Sequence, residues 1–213
     1  MINTIIVEDD RIIQNYLFSM LATDSRFRIV GRYTDAFDAE EACSEGNIDL
    51  VLMDVQTSHN HSGLAAGERI RKTSKRTKVV AVTSLVDPEV LAKARSGCAD
   101  SLWYKDHGAE ELMSVIERTL GGESVFPDNA PNIELKDMFS EDVTPRQLAI
   151  LRRFVTGLTY DEIAKEMKIT RDGVRWNIEQ LIQKGGFENK HELMATVLCN
   201  KYVVTTLMET ENE

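Results

Sequence analysis

The stretch Asp49-Leu50-Val51-Leu52-Met53-Asp54 decides the fold, because it is a short apolar run closed at both ends by acids. Four successive apolar residues are typical of a β-strand that is buried on both faces, as the strands of parallel sheets are. A carboxylate at the end of such a strand is costly to bury unless it is paired or used. Open α/β folds place their sites at the carboxyl edge of the sheet, so Asp54 marks the predicted site.

Three further apolar runs end in polar residues, namely Glu8 and Asp9 after the first, Thr83 after the second and Lys105 after the third. The carboxyl ends of parallel strands meet at one edge of a sheet, so we expect these side chains to converge on Asp54. A fifth strand pattern covers Phe27 to Tyr33, and helical periodicity separates the runs, which gives five repeats of strand and helix. This pattern predicts an α/β domain with a doubly wound, five-stranded parallel sheet and right-handed crossovers.

The residue types at this edge favour phosphoryl chemistry. Three carboxylates, those of Glu8, Asp9 and Asp54, repel one another, and a hard divalent cation such as Mg²⁺ relieves that repulsion. Asp54 is then placed to attack a phosphoryl donor and form an aspartyl phosphate. Such a transfer needs mainly positioning and charge neutralisation, which Mg²⁺ and Lys105 provide, while Thr83 donates a hydrogen bond to a phosphate oxygen.

The last third of the chain predicts a small all-α domain. Thr144-Pro145-Arg146-Gln147 is a helix start with proline at the first helical position, and Thr159-Tyr160-Asp161-Glu162 is a capping box. Thr170 caps a third helix, which ends at Gly185-Gly186. Two short helices joined around residues 168–170 predict a helix-turn-helix.

Composition limits the possible partners and compartments. The net charge of the chain is −10, yet residues 140–205 carry 10 basic and 9 acidic residues, so nucleic-acid binding is expected in that segment. Three scattered cysteines predict free thiols in a reducing cytoplasm. The chain begins with a strand pattern, and no apolar run is long enough for a membrane span, so we expect a cytoplasmic protein without a membrane partner.

Residues 1–122 resemble the receiver domain of two-component response regulators, which has a flavodoxin-like fold. The acidic pair, the aspartate on strand three, the threonine on strand four and the lysine on strand five match that family in order and spacing. The resemblance implies that Asp54 is the phosphoacceptor, with Thr83 as the switch hydroxyl and Lys105 as the phosphate-binding cation. It also implies that Asp9 binds Mg²⁺ directly, that Glu8 acts through water, and that the Gln56 carbonyl is a further ligand.

Residues 141–205 resemble the LuxR-type DNA-binding domain, so the whole chain resembles a NarL/FixJ-type regulator. Residues 123–140 are then a linker and residues 206–213 an acidic tail. The third helix of the domain is expected to enter the major groove of promoter DNA. The residues predicted to contact DNA are Lys168, Arg171, Arg175, Trp176, Asn177, Gln180 and Lys184. The fourth helix is the usual dimer face of this family, which implies an active homodimer.

The chain departs from the receiver pattern beside the acidic cluster. The loop after Asp54 lacks the usual proline, and Gly63 follows nine residues after Asp54, where the family has glycine at eight. Leu102 occupies the position that is usually the aromatic switch residue. Two histidines in this loop, His59 and His61, suggest a metal site, but the sequence offers no further ligand at a typical zinc spacing. They are more simply explained as solvated loop residues.

The predicted function is that of a DNA-binding transcription regulator, not an enzyme, which a histidine kinase phosphorylates on Asp54 with Mg²⁺. One alternative is a regulator that does not depend on phosphorylation, in which the receiver serves as a dimerisation module. A small phosphohydrolase is a third possibility. Such enzymes usually carry a second acid two residues after the nucleophile, and Gln56 stands there.

Overall fold

The structure is a computed structural model that describes residues 1–203, apart from the side chain of Asn60. The chain divides into two compact units, the first built mainly from residues 1–129 and the second from Ala130 onward. The predicted acidic tail, residues 206–213, lies outside the described residues. Among residues 1–203, no helix combines the length and the apolar character that a bilayer span requires.

The first unit alternates strands and helices as predicted. Its strands are β1 (Ile2–Val7), β2 (Phe27–Tyr33), β3 (Leu50–Asp54), β4 (Lys78–Thr83) and β5 (Ser101–Tyr104). Its helices are α1 (Arg11–Ala22), α2 (Ala36–Glu45), α3 (Gly63–Thr73), α4 (Pro88–Lys93), which continues into a π-helical turn (Ala94–Cys98), and α5 (Ala109–Leu120). The five strands form one parallel sheet in the order β2-β1-β3-β4-β5.

The strand sequences explain why this sheet is buried on both faces. All five residues of β3 are buried, and so are all four of β5. Alternate side chains such as Leu52 and Val80 face a core that includes Leu17 of α1 and Ile116 of α5. Beside the sheet, α2 packs on α3, and α3 packs on the π-helical turn that follows α4. The strand order reverses its direction between β1 and β3, which is where ligands bind in doubly wound sheets.

In the described residues of the second unit, a two-stranded hairpin, β6 (Glu134–Leu135) and β7 (Met138–Phe139), is followed by four α-helices. The helices are α6 (Pro145–Val155), α7 (Tyr160–Met167), α8 (Arg171–Lys184) and α9 (Lys190–Cys199). The predicted capping residues Thr144, Thr159 and Thr170 each accept a hydrogen bond from the backbone N–H three residues on. These caps satisfy N–H groups that the first turn leaves unpaired, so they define where each helix begins.

Part of the segment that the sequence predicts as a linker is folded. Leu135 and Met138 of the hairpin are buried, and both belong to the core of the second unit. Strands of two residues are too short to show a hydrophobic period, which is why the pattern did not indicate them. Earlier in the same segment, the backbone of Val125 bonds to Leu102 and to the Ser101 hydroxyl, which extends the first unit beyond α5.

Candidate functional site

Three strand ends of the first unit place charged groups at the carboxyl edge of the sheet. Asp54 ends β3, Glu8 and Asp9 follow β1, and Lys105 follows β5. Lys105 Nζ donates a hydrogen bond to Asp54 Oδ2 at 2.8 Å and forms an ion pair with Glu8 Oε2 at 2.6 Å. The expected convergence of these side chains is therefore found, with one cation between two carboxylates.

The charges of this cluster are largely removed from water. Glu8 is 1% exposed and Asp54 is 7% exposed. Burial, and secondly the negative charge of Asp54, raise the pKa of Glu8 to about 7, although Lys105 opposes the shift. Burial also raises the pKa of Asp54 against the opposing effect of Lys105. Burial disfavours the charged form of Lys105, but the two carboxylates outweigh it and raise the lysine pKa.

The carboxylate oxygens of this cluster are ligands that suit a hard divalent cation. Carboxylate oxygens of Glu8, Asp9 and Asp54 lie within 4.8 Å of one another, and Asp9 is exposed to solvent. Mg²⁺ takes few carboxylates and keeps open positions for water and phosphate oxygens. Burial makes the charged forms of both acids costly, and a cation bound beside them would offset part of that cost. The residues present therefore fit a Mg²⁺ ion, with Asp9 on its open side.

Thr83 and Gln56 lie at the edges of the cluster. Thr83 ends β4, is fully buried, and its carbonyl accepts a hydrogen bond from the backbone N–H of Lys105 at 2.8 Å. Val82, one residue earlier, is the strand partner of Asp54, so Thr83 lies beside the end of β3. The backbone N–H of Gln56 lies 3.4 Å from Asp54 Oδ1, a long hydrogen bond.

Gly63 is a residue of this site that its chemistry does not reveal, since glycine offers no functional group. A Cβ atom at Gly63 would lie 1.8 Å from the carbonyl oxygen of Asp54, so a side chain there requires the backbone to move. Its N–H also donates to the Val55 carbonyl at 2.9 Å. The one-residue-longer loop thus returns to the close backbone approach that requires glycine.

The helix-turn-helix of the second unit consists of α7, a turn at Lys168 and α8. Lys168 has a φ of 53° and ends α7, and Thr170 then caps α8. Among the residues predicted to contact DNA, Arg171, Arg175, Trp176 and Lys184 are exposed and Gln180 is half-buried. The exposed basic side chains form ion pairs with nearby acidic side chains, as in the 3.1 Å contact between Arg175 Nε and Glu179 Oε1. Exposed pairs of this kind contribute little stability and exchange partners easily.

The structure corrects the prediction for Asn177. This side chain is 6% exposed, and its Nδ2 donates to the Gly173 carbonyl at 2.7 Å. It lies three residues after Val174 and one before Ile178, which are both buried, so it belongs to the inward stripe of α8. Its polarity suggested the DNA-facing side, but the helical period places it inside.

Comparison with protein families matches both units. The response regulator receiver domain matches residues 4–117, and bacterial regulatory proteins of the luxR family match residues 141–197. The first match covers more than half of the chain, and it includes every residue of the acidic cluster.

The chain belongs to the response regulator family.

Its combination of a receiver and a luxR-type helix-turn-helix makes it a DNA-binding transcriptional response regulator of a two-component system. The regulator is 27% identical over 194 residues to the transcriptional regulatory protein DesR of Bacillus subtilis, covering 90% of this chain and 94% of DesR. It is 27% identical over 188 residues to the response regulator protein VraR of Staphylococcus saprophyticus, covering 86% of this chain and 90% of VraR.

Solved structures show the same fold in the same domain order. RcsB of Salmonella enterica serovar Typhimurium, bound to promoter rprA in the presence of phosphomimetic BeF₃⁻, has a TM-score of 0.61 at 17% identity. That alignment covers 92% of the regulator and 98% of RcsB. A structure of two RcsB dimers bound to two parallel DNAs has a TM-score of 0.63, also at 17% identity.

The regulator differs from the usual receiver at the aromatic switch position. Leu102 stands there and is 1% exposed, and its neighbours Trp103 and Tyr104 are buried in the same strand.

Asp35 lies against the loop that follows Asp54, and no sequence pattern indicated this contact. It caps α2, and its carboxylate contacts both loop histidines, His59 and His61. Asp35 lies more than twenty residues before the loop, so local spacing carries no signal of this contact.

Proposed function

We propose that a sensor histidine kinase phosphorylates Asp54 of this regulator in the presence of Mg²⁺. The observation that carries the proposal is the placement of Lys105 Nζ within 2.8 Å of Asp54 Oδ2 and 2.6 Å of Glu8 Oε2. An ionised carboxylate at a strand end, with a cation fixed beside it, is a positioned nucleophile. In the transfer, the phosphorus–nitrogen bond of the donor phosphohistidine breaks, and a bond forms between phosphorus and a carboxylate oxygen of Asp54.

The acidic residues would hold the metal, with Asp9 and Asp54 as direct ligands, Glu8 acting through water and the Gln56 carbonyl as a further ligand. Bound Mg²⁺ supplies charge neutralisation for the phosphoryl oxygens. Lys105 stays paired with the transferred group, because its ammonium already lies against the receiving carboxylate. The Thr83 hydroxyl lies at the adjacent strand end and would bond to a phosphoryl oxygen. We expect no enzymatic turnover of a separate substrate.

Promoter DNA is the proposed partner of the second unit. α8 would lie in the major groove, with Arg171, Arg175, Trp176 and Gln180 toward the base edges. Lys168 and Lys184 would contact phosphates, which position the helix without reading sequence. Residues 140–205 carry nearly balanced charge, so a single second unit is expected to bind DNA weakly. A homodimer on two half-sites, with α9 as the dimer face, would compensate.

The domain boundaries remain part of this proposal. We assign the receiver to residues 1–122 and the DNA-binding domain to residues 141–205. Residues 123–140 would connect them, including the hairpin of β6 and β7, and residues 206–213 form the acidic tail.

The test of phosphorylation is labelling by acetyl phosphate, followed by intact mass spectrometry. The wild type is expected to gain one phosphoryl group with MgCl₂ and none with EDTA. Asp54→Asn should gain none. The exposed acid Asp106 offers a matched control, and Asp106→Asn should be labelled like the wild type. Equal labelling of Asp54→Asn and the wild type contradicts the proposal.

A second candidate function is favoured by Leu102, which replaces the aromatic residue that usually reports phosphorylation in this family. In this alternative the receiver serves as a dimerisation module and DNA binding ignores the phosphoryl group. Size-exclusion chromatography and DNA retention, each with and without acetyl phosphate, distinguish the two. An elution volume and a DNA affinity that change with neither acetyl phosphate nor Asp54→Asn favour the alternative.

A further inference from the structure

Two histidines of the loop between β3 and α3 contact the same buried carboxylate. His59 Nδ1 lies 2.9 Å from Asp35 Oδ2, and His61 Nδ1 lies 2.7 Å from Asp35 Oδ1. The Asp35 side chain is 10% exposed, whereas those of His59 and His61 are 77% and 52% exposed. The sequence shows the two histidines without a third ligand, and the fold supplies that ligand from the start of α2.

The loop is held in this position by contacts that do not involve the histidine side chains. The Thr57 hydroxyl accepts a hydrogen bond from the backbone N–H of Ala36 at 3.1 Å. The backbone N–H of Ser58 donates to the Thr34 carbonyl at 3.0 Å. Both contacts tie the loop to the segment that carries Asp35, so the three groups are brought together before any ion binds. Preorganised ligands bind metals more tightly than ligands that must first be ordered.

The backbone at His59 has an unusual conformation. Its φ is 59°, a left-handed value that non-glycine residues seldom adopt. Such conformations persist where the surrounding structure maintains them, and they concentrate at functional sites. Here the left-handed residue lies in the turn that brings His59 and His61 to the same carboxylate.

We propose that Asp35, His59 and His61 form a binding site for a divalent transition-metal ion of the Zn²⁺ type. One ligand atom from each residue lies within 4.8 Å of the other two. Around a tetrahedral Zn²⁺ ion with ligand bonds of about 2.0–2.1 Å, neighbouring ligand atoms are about 3.3 Å apart. The two Nδ1–O contacts of 2.9 and 2.7 Å are shorter than this and reach different oxygens of Asp35, so the ligand groups must shift when an ion binds. The exposed histidine rings have the freedom to make that adjustment, and water completes the coordination.

The proposed site differs in chemistry from the acidic cluster at Asp54. Imidazole nitrogens suit Zn²⁺, Ni²⁺ and Cu²⁺, whereas carboxylate, carbonyl and water oxygens suit Mg²⁺. A protein with both sites would bind the two kinds of ion independently. The proposal therefore does not depend on phosphorylation of Asp54. Its direct consequence is that an ion would join α2 to the loop that follows the phosphoacceptor strand.

The test is isothermal titration of the full chain with ZnCl₂ in excess MgCl₂, which keeps the acidic cluster occupied. The wild type is expected to bind one Zn²⁺ per chain. The double variant H59Q/H61Q should bind at least tenfold more weakly, because two of the three ligands are gone. Asp35→Asn should also weaken binding, while its side-chain oxygen still caps α2. Co²⁺ should give visible absorption bands in the wild type that the double variant lacks.

Two controls make the result specific. His191 is an exposed histidine at the start of α9, and His191→Gln should bind Zn²⁺ like the wild type. Asp54→Asn should also keep this affinity, which separates the proposed site from the phosphorylation site. Urea unfolding midpoints show whether each variant is folded. Equal Zn²⁺ affinity of H59Q/H61Q and the wild type, or no Zn²⁺ binding by the wild type, overturns the proposal.

Discussion

The acidic cluster of the first unit and the exposed face of α8 are both rich in charge, but the charges are held differently. Glu8 and Asp54 are 1% and 7% exposed, and Lys105 lies between them. On α8 the side chains of Arg175 and Glu179 are 55% and 56% exposed, and they pair with each other. Water can replace any partner on α8, whereas in the cluster each charge depends on the others.

Because of this difference, the buried cluster should affect the stability of the protein, and the exposed face of α8 should affect its binding to DNA. Buried charges perturb one another, so a substitution in the cluster changes the free energy of unfolding and the pKa values of the remaining groups. Exposed charges contribute little to folding and remain available to a partner such as DNA. Substitutions in the two regions should therefore be detected by different measurements, and variants of each region can test that separation.

The largest expected effect is that of Gly63→Ala. The added Cβ atom would lie 1.8 Å from the Asp54 carbonyl oxygen, so the end of β3 or the start of α3 must shift. We expect the free energy of unfolding to fall by about 3 kcal/mol, as for a severe steric clash in a packed interior. Urea denaturation followed by circular dichroism measures this. Gly108→Ala is the matched control, because a Cβ atom there meets nothing within 4 Å at a φ of −72°.

Glu8→Gln tests the cost of the buried charge. The pKa of Glu8 is raised from 4.5 to about 7, so between these pH values the folded state binds more protons than the unfolded state. Stability should therefore fall as the pH rises from 4.5 to 7. In EDTA at about pH 8 we expect Glu8→Gln to raise the free energy of unfolding by about 2 kcal/mol.

Near pH 4.5 the gain from Glu8→Gln should vanish. The Glu8 carboxyl of the folded wild type is then protonated, so it is neutral like the glutamine that replaces it. Urea denaturation at about pH 4.5 and about pH 8 checks both halves of this prediction. Glu41 is an exposed acid on α2, so Glu41→Gln is the matched control for replacing a carboxylate by an amide. A gain for Glu8→Gln that is the same at both pH values would contradict the assigned cause.

Arg175→Ala tests the exposed region. Because this arginine is exposed and pairs with a neighbouring acid, its loss should change the free energy of unfolding by less than about 0.5 kcal/mol. If α8 binds DNA as proposed, affinity should fall about tenfold, and the salt dependence of binding should become shallower. Electrophoretic mobility shifts at several salt concentrations measure both effects. Glu179→Gln should act in the opposite sense, since it frees Arg175 and removes a negative charge from the DNA-facing side.

Gly173→Ala has the smallest expected effect. The residue lies in the first turn of α8, and alanine has a higher helix propensity than glycine by up to about 1 kcal/mol. The new Cβ atom would lie 3.1 Å from the Thr170 hydroxyl that caps this helix, so we expect a net gain of about 0.5 kcal/mol. Gly157→Ala is the contrasting variant. It meets open space but has a φ of 90°, so it should destabilise the protein, as thermal unfolding would show.

Much of the fold followed from patterns that act over a few residues. The five strands, the helices between them and the caps at Thr144, Thr159 and Thr170 were predicted from hydrophobic period and capping chemistry. Two differences between prediction and structure have local causes as well. The hairpin at residues 134–139 is too short to carry a period, and Asn177 was placed by its polarity although the helical phase puts it inside.

The sequence by itself determined which residue types end each strand, because the apolar runs and the acids, hydroxyl and amine that close them are adjacent along the chain. Only the tertiary structure decided how close these groups lie and how far burial shifts their pKa values. It also brought the Asp54 carbonyl so close to Gly63 that no side chain fits there. It also decided that Asp35 meets His59 and His61. The physical reason is that sequence patterns report local backbone preference, whereas distances between remote segments are set by packing of the whole sheet and its helices.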